Sequence, residues 1–140
     1  MIRNMKPEDM GQIMDIWLSA NLDAHPFIPE EYWKKNKQEA GTSILQAEVY
    51  VWEDNARLLG FIGLEKDYIA GIFVDRAARS QGIGTRLLDR VKENHDTLTL
   101  KVYAKNERAL RFYERAGFRM EAQDREEETG EMEFLLRWTK

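Results

Sequence analysis

The chain has 140 residues, a formal net charge of −4 and no cysteine. Its length corresponds to one domain, residues 1–140, at roughly 100–200 residues per domain, and the missing cysteine excludes a disulfide framework, a thiol nucleophile and a cysteine-ligated zinc. Two widely separated histidines, His25 and His95, offer no histidine-rich metal site, the acidic balance lacks the basic footprint of a nucleic-acid binder, and no stretch approaches the roughly 18 apolar residues of a membrane span.

Met1–Asn4 suits a short strand, and Pro7 suits the first turn of a helix. Met10, Ile13, Met14, Trp17 and Leu18 recur at helical spacing, which predicts an amphipathic helix over Glu8–Ala20. The turn His25-Pro26-Phe27-Ile28-Pro29 ends it. A second helix is expected from Glu30 to about Gln46, with Gly41 weakening its later half. Three runs rich in β-branched and aromatic residues follow as strands: Glu48–Glu53, Arg57–Leu64 and Tyr68–Val74. Asp54-Asn55 and Glu65-Lys66-Asp67 supply the turns between them.

Gly82–Asn94 is helical in pattern, with Ile83, Leu87, Leu88 and Val91 on one face. Thr97–Tyr103 alternates as a half-buried strand. Asn106–Ala116 is a helix with Asn106 as its cap and Gly117 just past its end. Phe118–Gln123 and Met132–Trp138 form the last strands, and the acid-rich stretch Glu121–Glu133 is expected as a solvated hairpin turn. The order predicts an α/β domain with a mixed, mostly antiparallel sheet of six to seven strands flanked by about four helices. Trp17 and Trp52 are expected in the core. Met1–Asp9 lacks the apolar core of a signal peptide, so a cytoplasmic location is expected.

The most informative segment runs from Ile72 to Thr85, where a strand enters a basic loop and then a helix with two glycines in its first turn. A helix N-terminus presents unpaired N–H groups and positive dipole charge. Glycine at 82 and 84 lets an anion approach that backbone, and Arg76, Arg79 and Arg86 add charge. The expected ligand is a phosphate or pyrophosphate. A Walker A loop would need Gly-Lys-Ser/Thr where Gly84-Thr85-Arg86 stands, and a dinucleotide fingerprint would need a small residue at Leu87.

The pattern Arg79-x-x-Gly82-x-Gly84 resembles the pyrophosphate-binding signature of the GCN5-related N-acetyltransferase (GNAT) family. Asn106, Ala109, Tyr113, Gly117 and Phe118 resemble the same family's second signature, beginning 22 residues after Gly84. The resemblance implies acetyl-CoA as co-substrate, no metal, and transfer of the acetyl group to an amine: a protein lysine, a peptide N-terminus or a small amine. It implies that the backbone of Ile72, Phe73 and Val74 pairs with the pantetheine arm. Arg79, Ser80, Gln81, Gly82, Ile83, Gly84 and Thr85 would cradle the pyrophosphate, Asn106 would lie near the pantetheine, and Tyr113 near the sulfur as its proton donor. The resemblance also implies a general base near the acceptor end, for which Glu65 is the first candidate, ahead of Asp67 and Tyr68.

The ribosomal-protein N-terminal acetyltransferases carry a glutamate five residues before the motif asparagine, where this chain has Lys101. The family layout implies that Asn21–Lys37, with His25, Phe27, Tyr32 and Trp33, lines the acceptor pocket. Without cysteine no cysteinyl acyl-enzyme can form, so direct transfer in a ternary complex is expected. A longer acyl donor and a non-catalytic acyl-CoA-binding regulatory module are the competing readings. The expected partners are acetyl-CoA and the amine acceptor, not nucleic acid or membrane, with the chain a monomer or homodimer.

Overall fold

The chain folds as β1 (Ile2–Asn4), α1 (Met10–Ala24), α2 (Glu30–Gln46), β2 (Glu48–Asp54), β3 (Arg57–Glu65), β4 (Tyr68–Val74), α3 (Ile83–Lys92), β5 (Thr97–Tyr103), α4 (Glu107–Arg115), β6 (Arg119–Arg125) and β7 (Met132–Thr139), in a computed structural model that describes residues 1–140. The strands form one sheet in the order β1-β2-β3-β4-β5-β7-β6. Every neighbouring pair is antiparallel except β4 and β5. The sheet is thus mixed and mostly antiparallel, with seven strands and four helices, as the sequence pattern predicts. No helix is long and apolar enough to cross a membrane.

β3 lies inside the sheet and is buried almost throughout, which explains why its sequence is continuously apolar instead of alternating. Two helix layers cover the sheet. Ile13, Ile16, Trp17 and Trp33 of α1 and α2 pack with Val49, Val51 and Phe61. Ile83, Leu87, Leu88 and Val91 of α3, and Tyr113 of α4, pack with Ile62, Leu98, Leu100, Val102 and Leu136. Trp17 is in this core, whereas Trp52, near the sheet edge, is only partly buried and lies under the Arg86 guanidinium at 5.4 Å.

The differences from the sequence expectation have local causes. Pro7–Asp9 forms a separate 3-10 turn. Asp9 is buried there by the Arg3 guanidinium at 2.8 Å and the Lys6 N–H, also at 2.8 Å, so α1 starts only at Met10. Burial of Asn21, whose amide donates to the Trp17 carbonyl, carries α1 one turn past Ala20. Gly41 does not interrupt α2. A Cβ there would lie 3.5 Å from Met14 Sδ, so the glycine sits where α1 packs against α2. The β2–β3 turn falls at Asn55-Ala56, both with positive φ, the form that matches strand twist. β6 extends to Arg125, so only the middle of the acid-rich stretch is turn.

Gly60 lies where Ile83 of α3 packs closely on the sheet. A Cβ at this position would stand 2.9 Å from the Phe73 carbonyl oxygen and 3.2 Å from Ile83 Cγ2. Backbone on one side and a buried side chain on the other leave little room to relax. Gly60→Ala is expected to destabilise the fold by about 1–3 kcal/mol, the usual range for overpacking. A urea unfolding midpoint equal to that of the wild type would refute this.

Candidate active site

β4 and β5 pair at only two positions, Tyr68 with Thr99 and Ile69 with Leu100. Beyond them the strands part. A register shift against β3, between Gly63 and Leu64, accompanies the parting and leaves Ala70 as the extra residue on β4. The N–H and C=O groups of Ala70–Val74 on the β5 side therefore have no strand partner. The gap opens into a cleft of about 920 Å³, lined by Ile72, Phe73 and Val74 on one side and by Asn106 and Tyr113 on the other.

At one end the cleft meets the glycine loop. Ser80 and Gly82 both take left-handed φ, 64° and 80°. Alternation of this kind turns successive N–H groups into one concavity suited to an anion. Gly82 caps α3, so the helix proper begins at Ile83. Arg79, Ser80, Gly82, Ile83, Gly84 and Thr85 line the cleft. Gln81 does not; it is exposed between the two left-handed residues. Of the three arginines only Arg79 lines the cleft. Arg86 stacks on Trp52, and Arg76 is exposed. Arg79 pairs with Asp23 near the end of α1, and Arg76 lies 3.8 Å from the same carboxylate.

On α4, Asn106 is the N-cap, and its Oδ1 accepts from the Ala109 N–H at 3.2 Å. Its Nδ2 is left facing His25 Nε2 at 3.3 Å. Nε2 therefore accepts, which puts the ring proton of neutral His25 on Nδ1, an atom enclosed without a partner. His25 stacks on Trp33 with ring centroids 5.2 Å apart and meets Phe27 and Tyr103 edge-on. Tyr113 is buried, and that burial raises its phenol above the ordinary value, with Tyr68 adding to the effect. Its hydroxyl stays protonated at neutral pH.

The other end is closed by Tyr68, Lys101, Tyr103 and Glu133. Tyr103 donates to Glu126 Oε1 at 2.7 Å, which ties the β6–β7 hairpin to β5. From α2, Trp33 lines the cleft, whereas Tyr32, expected there too, does not; burial pushes the Tyr32 phenol up to about 12. Glu65 lies outside the cleft lining, exposed at the end of β3 where it pairs with Tyr68. Asp67 is also outside, its carboxylate oxygen 2.8 Å from His95 Nδ1. The sequence pattern gives no individual role to several lining residues, among them Asp23, Tyr103 and Glu133. Alternation in β5 puts Tyr103 with Thr97, Thr99 and Lys101, a signal that was available. Glu133 is masked by the acidic run before it.

The family profile described as an acetyltransferase (GNAT) domain matches residues 21–133. The chain is 33% identical over 140 residues to the peptidyl-lysine N-acetyltransferase YiaC of Escherichia coli strain K12, spanning 99% of this chain and 96% of that one. Among solved structures, apo YjaB of Escherichia coli superposes with a TM-score of 0.86 at 23% identity, covering 99% and 96% of the two chains. The PaiA N-acetyltransferase of Thermoplasma acidophilum, solved in complex with coenzyme A, superposes with a TM-score of 0.85 at 18% identity over 100% and 98%.

The enclosure of His25 has a measurable signature. Burial lowers its imidazole to about 4, outweighing the smaller opposing effects. The unfolded chain takes up a proton near pH 6.5 that the folded chain refuses until about pH 4. The stability this provides is whole above pH 6.5 and is lost as pH falls toward 4. The melting temperature of wild type should therefore drop more steeply than that of His25→Phe between those limits. Parallel curves would show that His25 titrates normally.

Proposed function

The chain belongs to the acetyltransferase (GNAT) family, and from that premise we propose that its acceptor is the side-chain amine of a protein lysine. It is an acetyl-CoA-dependent N-acetyltransferase. The observation that carries the site assignment is the parting of β4 and β5, which joins an anion-binding loop to a buried phenol along one open strand edge. The lysine reading is supported by YiaC, a peptidyl-lysine enzyme similar over almost the whole chain.

In this reading the open edge of Ile72, Phe73 and Val74 bonds the amides of the pantetheine arm as an added strand would. Arg79 and the N–H groups of residues 80–85 hold the pyrophosphate. Asn106 keeps both its capping bond and a place near the pantetheine. Tyr113, protonated at neutral pH, gives its proton to the departing sulfur. A lysine near pKa 10.4 must first lose a proton, which costs about 4 kcal/mol at pH 7.4. With no cysteine in the chain, transfer runs directly from thioester to amine while both are bound.

Two substitutions separate these roles. Tyr113→Phe should lower kcat on a lysine peptide by about 10²-fold, within the range for general acids, with acetyl-CoA binding kept; an unchanged kcat would remove the phenol from the mechanism. Arg79→Ala should weaken acetyl-CoA binding about tenfold, as loss of a charged hydrogen bond does, and leave acetyl-pantetheine unaffected. Calorimetry showing equal losses for both ligands would place the pyrophosphate elsewhere.

A further inference from the structure

We propose that Glu133, the second residue of β7, is the group that takes the proton from the incoming amine; the inference rests on the acetyl-transfer reading above. Glu133 sits opposite Tyr103 in the β5–β7 register, beyond the last β4–β5 pair at Leu100, and lines the cleft where the two strands have parted. It is half-buried, yet it makes no hydrogen bond and no ion pair. Its acidic neighbours do: Glu126 accepts from Tyr103 and Thr129, and Glu131 pairs with Lys105. A half-buried carboxylate without a donor is costly to keep, and this one faces the space an amine must cross.

The rival groups are committed or misplaced. Asp23 is paired with Arg79 at the phosphate end. His25 is held far down its range and accepts from Asn106. Glu107 is exposed on the first turn of α4. Glu65 and Asp67 are outside the cleft. The charged and titratable groups acting on Glu133 are Lys101 of β5, Asp124 and Glu126 of the hairpin, and Tyr68 of β4, with Tyr103 beside it. Burial raises its carboxyl most, Glu126 and Asp124 raise it further, and Lys101 lowers it. A raised carboxylate is a stronger base.

The proton balance closes with two side chains. One N–H bond of the ammonium breaks and its proton goes to a Glu133 oxygen. The freed lone pair forms the bond to the acetyl carbon. The carbon–sulfur bond then breaks with its electrons passing to sulfur, which takes the Tyr113 hydroxyl proton. A second N–H proton of the former amine restores that hydroxyl, and Glu133 releases its proton to water.

The test compares wild type, Glu133→Gln and Glu133→Asp in the full-length chain. Each is assayed with a lysine peptide and with a peptide hydrazide, an acceptor already neutral at pH 7. Glu133→Gln should lower kcat/KM for the lysine peptide about 10²-fold at pH 7, in the range for a general base. The deficit should shrink as pH approaches the lysine's own pKa, and it should fall below about tenfold with the hydrazide. Glu133→Asp should recover part of the rate, and its pH profile carries the test if the glutamine variant does not fold. A loss of less than about threefold, or an equal loss with both acceptors at every pH, would overturn the assignment while leaving the acetyl-transfer reading intact. A wild type that acetylates neither acceptor would overturn that reading and this inference together.

Discussion

The site depends on hydrogen bonds that two neighbouring strands do not make. β4 and β5 run parallel, and parallel strands hold together through evenly spaced backbone bonds. Here the ladder stops after two pairs. Buried backbone groups without partners are expensive, so a gap in the middle of a sheet persists only where something else can bond them. Each side of the gap is held by its other neighbour: β4 by β3 over most of its length, and β5 by β7 along all seven residues. That anchoring lets the middle of the sheet stay open without the edges fraying. The helix layers above and below then fix the walls of the opening.

Charge is arranged on a smaller scale than the net value of −4 suggests. One arginine, two left-handed loop residues and a helix start make the phosphate end favourable to anions. Carboxylates gather at the opposite end, around the β6–β7 hairpin. An anionic cofactor and a cationic acceptor would therefore approach from regions of opposite sign. The aromatic cluster of His25, Phe27, Trp33 and Tyr103 between them keeps that stretch of wall apolar.

The strand and helix order was legible because most segments carry a single period and clear punctuation at their ends. The two glycine-bearing signatures were legible because their residue types answer to backbone demands, a left-handed cap at Gly82 and a left-handed exit at Gly117. The acceptor end was not. Glu65 stood out as a polar residue beside a strand, but strand pairing carries it to the exposed end of β3. Glu133 merged into an acidic run, and only the β5–β7 register sets it apart from its neighbours by facing it toward Tyr103. Which acid enters the cleft is decided by long-range pairing, and local composition carries no record of that. The pairing of Asp23 with Arg79 escaped for the same reason: the two lie 56 positions apart.

That ion pair between Asp23 and Arg79 alters what cofactor affinity measures. In the proposed site, a pyrophosphate arriving at Arg79 would replace one anion with another instead of neutralising a bare cation. Its electrostatic gain would be the difference between two ion pairs, which is smaller than that of the new pair alone. The displaced carboxylate belongs to α1, the helix that leads directly into His25 and the acceptor wall. In the proposed site, cofactor entry would thus be an anion exchange, and the anion it freed would sit on the segment proposed to shape the other substrate's pocket.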